Sequence, residues 1–282
     1  MRRSVTAVLL AALAVTSCGG APTAGPAATA SPTLAPTTTA PVSPSAVPGP
    51  IWVVGASPLP IAPDGFGARL PTPLVLRDRH LPTMDLLPPP RDGRFHASVA
   101  LINPAVRQRM GETYRVGCPV PLSKLRYLTL TFRGFDGKAH TGELVVAASV
   151  SAAVVRAFRS LFEQGFPIEE MRLPTTADLR AKPTGDGNDT AGFVCRSARG
   201  QTRLSAHAYG LAVDVNPFHN PLVRNDLVLP ELASAYRDRT WVRDGMLLPG
   251  SAAVRAFTRE GWTWGGGFSR PKDYQHFSRT GN

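Results

Sequence analysis

The chain has 282 residues, 43% hydrophobic and 18% charged, with 31 Lys and Arg against 20 Asp and Glu and a formal net charge of +11. That apolar share fills a packed core, which excludes a wholly disordered chain, and the length suits one or two domains rather than a small stapled module. Gly and Pro, at 26 and 28 residues, stay below the level of a low-complexity polymer, so any bias they carry is local.

The bias sits at the N-terminus. Arg2 and Arg3 are followed by the apolar run Val5 to Val15, and no further charge occurs before Asp64. A basic start and a short apolar stretch predict a secretory leader; the run falls short of the about 20 residues that cross a bilayer. It ends in Val15-Thr16-Ser17-Cys18-Gly19, which resembles the bacterial lipobox. The resemblance implies a lipoprotein signal over residues 1–17 and a lipid on Cys18; an ordinary leader with an incidental cysteine is the alternative. Residues 18–50 carry 8 prolines and no charge, so they lack the side chains that offset backbone ordering and are expected to form an extended tether. Loss of Arg2 and Arg3 lowers 31 basic residues to 29 against 20 acidic, a charge of +9. For an exported lipoprotein this excess points to anionic wall polymers and lipid headgroups; without an aromatic-basic motif, nucleic acid is not an expected partner. Export also leaves Cys118 and Cys195 as an even pair in an oxidising compartment, where a disulfide between them is expected, two buried thiols being the alternative.

Residues 51–109 are irregular, with Pro-rich pieces such as Leu87-Pro88-Pro89-Pro90, and read as an extension that wraps or caps the domain after it. Leu128, Leu130 and Phe132 then alternate with Tyr127, Thr129 and Thr131, predicting a half-buried strand. Asp136-Gly137 supplies a turn into a second strand around Glu143 to Ala147. Ser151 is placed to cap a helix with Val154, Phe158, Leu161 and Phe162 on one face and Gly165 at its end. Thr175 to Asp189, rich in Gly, Asp and Thr, reads as loop. Gly210 to Asn216 reads as a strand, and Ser251 caps a helix that buries Val254 and Phe257 and stops at Gly261. Asn216-Pro217 and Asn220-Pro221 are turn signals, with His219 beside them on the surface. Strands and helices mix without a βαβ repeat, so the expected fold class is α+β: a small antiparallel sheet with flanking helices around a single metal site, over residues 110–282.

Chemistry concentrates in two segments. In Ser205-Ala206-His207-Ala208-Tyr209-Gly210-Leu211-Ala212-Val213-Asp214, period-2 alternation puts Leu211, Val213 and Val215 on one face and Gly210, Ala212, Asp214 and Asn216 on the other. The second face is small and polar, leaving space above the Asp214 carboxylate into which His207 can fold. His276, three positions after Asp273, supplies a third ligand. Two imidazoles and a carboxylate leave a fourth position for water, the arrangement of hydrolytic zinc.

Ser-x-His-x-x-Gly-x-Ala-x-Asp at 205–214, with Asp-x-x-His-Phe at 273–277 after Gly-Trp-x-Trp-Gly-Gly, resembles the zinc D-alanyl-D-alanine carboxypeptidase and L-alanyl-D-glutamate endopeptidase family of cell-wall enzymes. The resemblance extends upstream through Phe193-Val194-Cys195-Arg196 and Gly165-Phe166-Pro167-Ile168. It implies that His207, Asp214 and His276 bind zinc, that Asp273 is the general base, and that Arg196 steers substrate and stabilises the oxyanion. Peptidoglycan stem peptides would be the substrates, cleaved outside the membrane by an enzyme held there by its N-terminal lipid. Aspartate rather than glutamate at 273 resembles the endopeptidase branch. Ser205 either shapes its loop or touches substrate, and Trp264 with Trp262 forms core and pocket wall, the adjacent glycines letting a peptide approach. Arg196 has an alternative as the ion-pair partner of Asp189. A non-catalytic wall-binding module that keeps the fold is the rival reading; a non-haem iron oxygenase fits less well, since its His and Asp usually lie two apart on one strand.

Overall fold

The computed structural model describes residues 52–198 and 200–281; the leader, Cys18 and the tether over 18–50 lie outside the described residues. In chain order the elements are α1 (Leu74–Arg77), β1 (Ala97–Ala100), α2 (Pro104–Met110), β2 (Leu125–Arg133), β3 (Ala139–Ala147), α3 (Ser151–Glu163) and α4 (Thr176–Arg180). They continue with β4 (Ala212–Asp214), β5 (Leu222–Arg224), β6 (Leu227–Leu229), α5 (Ala252–Thr258), β7 (Thr263–Trp264), β8 (Lys272–Asp273) and β9 (His276–Ser278). The class is α+β, with three small antiparallel sheets: β1-β2-β3, β4-β9-β7 and β6-β5-β8. No helix among the described residues is long and apolar enough to cross a membrane.

The long hairpin follows from its alternation. Leu128 lies opposite Leu144 and Leu130 opposite Gly142, so the apolar set of β2 faces one side, where it meets Val154, Phe158 and Leu161 of α3. On α3 the buried residues Val154, Ala157, Phe158, Leu161 and Phe162 recur at helical spacing. Ser151 is not the cap expected of it. It already belongs to the helix, and its Oγ donates back to the Ala148 carbonyl (3.0 Å). Ser251 does cap α5, accepting from the Val254 N–H at 3.2 Å. The stretch 175–189, expected to be loop, contains α4, because the Asp178 carboxylate reaches back to the Thr175 N–H (2.7 Å) and closes a first turn.

The segment before residue 110 is joined to the rest by backbone pairing and by side chains. β1 pairs with β2 from Ala97↔Leu130 to Ala100↔Tyr127, and Leu59 N–H donates to the Pro183 carbonyl (2.8 Å). Arg79, 1% exposed, forks onto Glu169 with Nε–Oε2 2.7 Å and Nη2–Oε1 2.5 Å. His219, expected at the surface, is fully buried. Its ring stacks on Phe135 with centroids 4.9 Å apart, Nε2 donates to the Arg79 carbonyl (3.0 Å), and Nδ1 accepts from the Asn188 amide (3.1 Å). Both ring nitrogens are thus used by a neutral imidazole, which is why a residue between two turn signals can sit in the interior.

Cys118 and Cys195 form a disulfide across 77 positions, with Cα atoms 5.8 Å apart. Cross-linking so long a loop restricts the unfolded chain, with a typical effect of about 2–4 kcal/mol. Replacing both cysteines by Ala is expected to lower the unfolding free energy in urea by that amount. An unchanged midpoint would show that the cross-link adds nothing to stability.

Candidate active site

Register brings the site together. In the β4–β9 ladder Asp214 lies opposite His276, Val213 opposite Phe277 and Ala212 opposite Ser278. Side chains directly opposite share a face, so Asp214 and His276 rise together from one side of the sheet. Val213 and Phe277 point into the core from the other, where Phe277 stacks on Phe257 of α5 with ring centroids 4.1 Å apart. The core thereby fixes the height and tilt of β9 under the polar pair.

His207 comes from a 3-10 turn, Ala206–Tyr209, whose preceding residue Ser205 accepts the His207 N–H at 3.3 Å. Gly210 ends the turn in the left-handed region (φ +66°), and a Cβ there would lie 2.5 Å from the Ala147 amide nitrogen. This close approach lets the Gly210 carbonyl accept the Ala147 N–H at 2.9 Å. His207 Nδ1 donates to the Gly192 carbonyl at 2.6 Å, which assigns the ring proton and leaves Nε2 as the lone-pair nitrogen, 3.2 Å from Asp214 Oδ2. His276 presents Nδ1, 2.9 Å from Asp214 Oδ1. One donor atom from each of the three residues lies within 4.8 Å of the others, and these form a group of metal-ligating type among the described residues. Burial alone would raise the Asp214 carboxyl, but His207 and His276 hold it below the ordinary carboxylate range.

Asp273 reaches the same place from a different sheet. It pairs with Leu222 in the β5–β8 ladder, and the chain crosses from β8 to β9 through Tyr274 and Gln275, whose carbonyl accepts the Val215 N–H (3.0 Å). Gly265 packs under this crossing; a Cβ on it would meet the Asp273 carbonyl oxygen at 2.5 Å. Asp273 Oδ1 is buried and has no hydrogen-bond partner. Burial, helped by the Asp214 charge and opposed by His276, pushes the carboxyl up to about 6. A divalent cation beside it would lower it again.

All four residues line one cleft of about 1230 Å³, which Arg196 and Ser205 also line. Arg196 follows the disulfide directly, and its Nη1 donates to the Ser197 carbonyl (3.1 Å). Asp189 is engaged by Arg172, whose N–H it accepts at 2.9 Å; burial, with the Glu170 charge, raises its carboxyl well above the ordinary value. Trp264 lies in the core, as expected, and does not line the cleft. Its register partner is Phe277, which places it on the core face of β9, and its indole N–H donates to the Tyr274 carbonyl at 2.8 Å. Two contributors were not foreseen. The Gly192 carbonyl orients His207, and Gln275 lines the cleft beside Asp273, where its side chain works to lower the carboxyl. A backbone carbonyl carries no sequence signal, whereas the place of Gln275 between Asp273 and His276 does.

Two imidazole nitrogens and a carboxylate oxygen form a donor set suited to zinc, with the buried, unpartnered Asp273 oxygen beside them in place to act on a bound water. Residues 199–279 match the family model described as D-alanyl-D-alanine carboxypeptidase. That span holds His207, Asp214, Asp273 and His276 and stops short of Arg196. The match supports a peptidase of that type. No curated protein and no solved structure matches the chain.

Proposed function

We propose that this protein is a zinc-dependent peptidase that hydrolyses peptide bonds of peptidoglycan stem peptides, as a D-Ala-D-Ala carboxypeptidase or an L-Ala-D-Glu endopeptidase. It would work outside the membrane to which a lipid on Cys18 tethers it. The observation that carries the activity is the meeting, in one open cleft, of the His207, Asp214 and His276 donor atoms with the unpartnered Oδ1 of Asp273. The tether rests on the lipobox-like sequence alone; Cys18→Ala is expected to move the protein from the membrane fraction to the soluble one, and unchanged fractionation would remove the anchor.

His207 Nε2, an Asp214 oxygen and His276 Nδ1 would hold the metal. When bound, zinc supplies a Lewis acid for the peptide carbonyl and acidifies water at neutral pH. The chain's own residues do the rest. Asp273 Oδ1, free of competing hydrogen bonds, accepts a proton from the attacking water and then delivers it to the leaving amine. Arg196 faces the same cleft with a permanent positive charge that stabilises the oxyanion. The Gly192 carbonyl keeps His207 in the tautomer that presents Nε2.

Incubating the metal-replete protein with purified muropeptides and identifying products by mass spectrometry tests the reading. Release of D-Ala indicates the carboxypeptidase, and a cut between L-Ala and D-Glu the endopeptidase. Absence of any product from zinc-loaded protein would favour a wall-binding module. His207→Ala should lose most of the bound metal, and unchanged stoichiometry would sink the ligand assignment.

A further inference from the structure

Resting on the peptidase reading, we propose that Arg224 is a substrate-positioning residue that binds a free, non-terminal carboxylate within about two residues of the scissile bond. The substrate is then an anionic peptide, and amidation of its carboxylates weakens its use.

The placement follows from the β5–β8 ladder. Leu222 pairs with Asp273 and Val223 with Lys272. Alternate residues of a strand share a face, so Leu222, Arg224 and Asp273 lie on one face, with Arg224 two residues, about 7 Å, along the strand from the level of Asp273. Arg224 and Asp273 line the same cleft. An extended peptide whose scissile bond sits at Asp273 therefore carries its next same-side group past Arg224.

The guanidinium is held in place. Its Cζ lies 6.0 Å from the centroid of the Phe66 ring, an edge-of-range cation–π contact. Gly200, in the left-handed region at φ +71°, packs against both, and a Cβ on it would stand 3.1 Å from an Arg224 Nη and 3.2 Å from Phe66. Phe66 belongs to the segment before residue 110, which thus contributes to the cleft by bracing one of its walls.

Charge in the cleft is unbalanced in the same sense. Arg203, Arg224 and Arg270 all line it, and none has an acidic partner among the described residues. The acidic residues on the outer lining are already occupied. Asp178 takes a two-pronged contact from Arg172 at 2.8 and 2.8 Å, and Asp189 accepts the Arg172 N–H. Asp214 and Asp273 belong to the reacting centre. What remains outward of that centre is positive charge with a carboxylate-sized complement missing, in a concave wall where it attracts anions.

The test uses two stem peptides identical except that the non-terminal carboxylates are free in one and amidated in the other. Wild-type kcat/KM is expected to be about fivefold higher on the free peptide, the upper end of what one partly exposed charge pair contributes. Arg224→Gln should remove most of that preference by raising KM for the free peptide with kcat little changed, and Arg224→Lys should restore part of it. Equal use of both peptides by wild type, or full preference retained in Arg224→Gln, overturns the proposal. Should neither peptide be cut, calorimetric binding of both peptides to zinc-loaded protein decides: tighter binding of the free form that Arg224→Gln abolishes upholds the subsite while the peptidase reading falls, and equal binding sinks the subsite.

Discussion

Asp273→Asn is expected to lower kcat/KM on muropeptides by about 10²–10⁴-fold, the usual contribution of a positioned general acid–base, while metal stoichiometry stays that of wild type. The two halves of this result separate roles. Asp273 is not one of the three residues that share a metal-sized space, so an amide there should leave the ligands intact, yet it cannot accept a proton at the position where Oδ1 now lies buried without a partner. Loss of metal together with activity would make Asp273 a ligand. Retention of more than about a tenth of the activity would remove it from proton transfer. The pH profile offers a second check. The carboxyl is pushed up to about 6 by burial before any cation is bound, and a bound cation draws it down. The acid limb of kcat/KM should therefore fall at or below about pH 6. Asp273→Glu keeps a carboxyl but lengthens the side chain in a place where the Gly265 position approaches Asp273 to within about a Cβ contact; displacement of about 1 Å costs up to about 10²-fold, so an intermediate rate is expected.

The centre was legible because each of its signals is local. Alternation over 210–216 separated the core residues from Asp214, and the three-residue step from Asp273 to His276 could be read directly. What the sequence could not show is the register, Asp214 against His276 and Leu222 against Asp273, because pairing across 50 or more positions leaves no trace in either segment alone. The same cause decides between core and wall at Trp264. Glycines on its C-terminal side suggested an open wall, but its pairing with Phe277 turns it into the core. Arg224 gave no signal for a related reason: its direction depends on a ladder with β8 and on Phe66. His219 was misjudged because turn signals describe the backbone and say nothing of a ring that meets Phe135, Asn188 and the carbonyl of Arg79. The hairpin and the two main helices were readable from periodicity alone, whereas α4 depends on one carboxylate closing a turn in a polar stretch.

Arg79→Met is expected to destabilise the fold by about 3–5 kcal/mol, the cost of stranding one member of a buried ion pair. Glu169 is 6% exposed and its carboxylate is satisfied by Arg79 on both oxygens and by the Asn188 amide at 2.9 Å. Removing the guanidinium leaves the charge in a site from which water is excluded. The same guanidinium donates to the Asp186 carbonyl (2.7 Å) and lies over the Phe218 ring (4.4 Å), so the segment before residue 110 loses a buried anchor. Glu169→Leu in the Arg79→Met background should cost much less than the sum of the two single changes, since no buried charge is then left alone. Additive losses would mean that the pair is not the source of the effect. The network also predicts how acid acts. Burial holds His219 down to about 3 from an ordinary 6.5. Between those values the unfolded chain binds a proton that the folded chain refuses, so this residue makes stability rise with pH across the window and fall as acid is added. Protonating Nδ1 would also turn an acceptor of the Asn188 amide into a second donor facing it. His219→Gln, which keeps an acceptor and a donor but does not titrate, should flatten the dependence of the urea midpoint on pH between about 3 and 6.5. An unchanged slope would assign the acid sensitivity to groups other than His219.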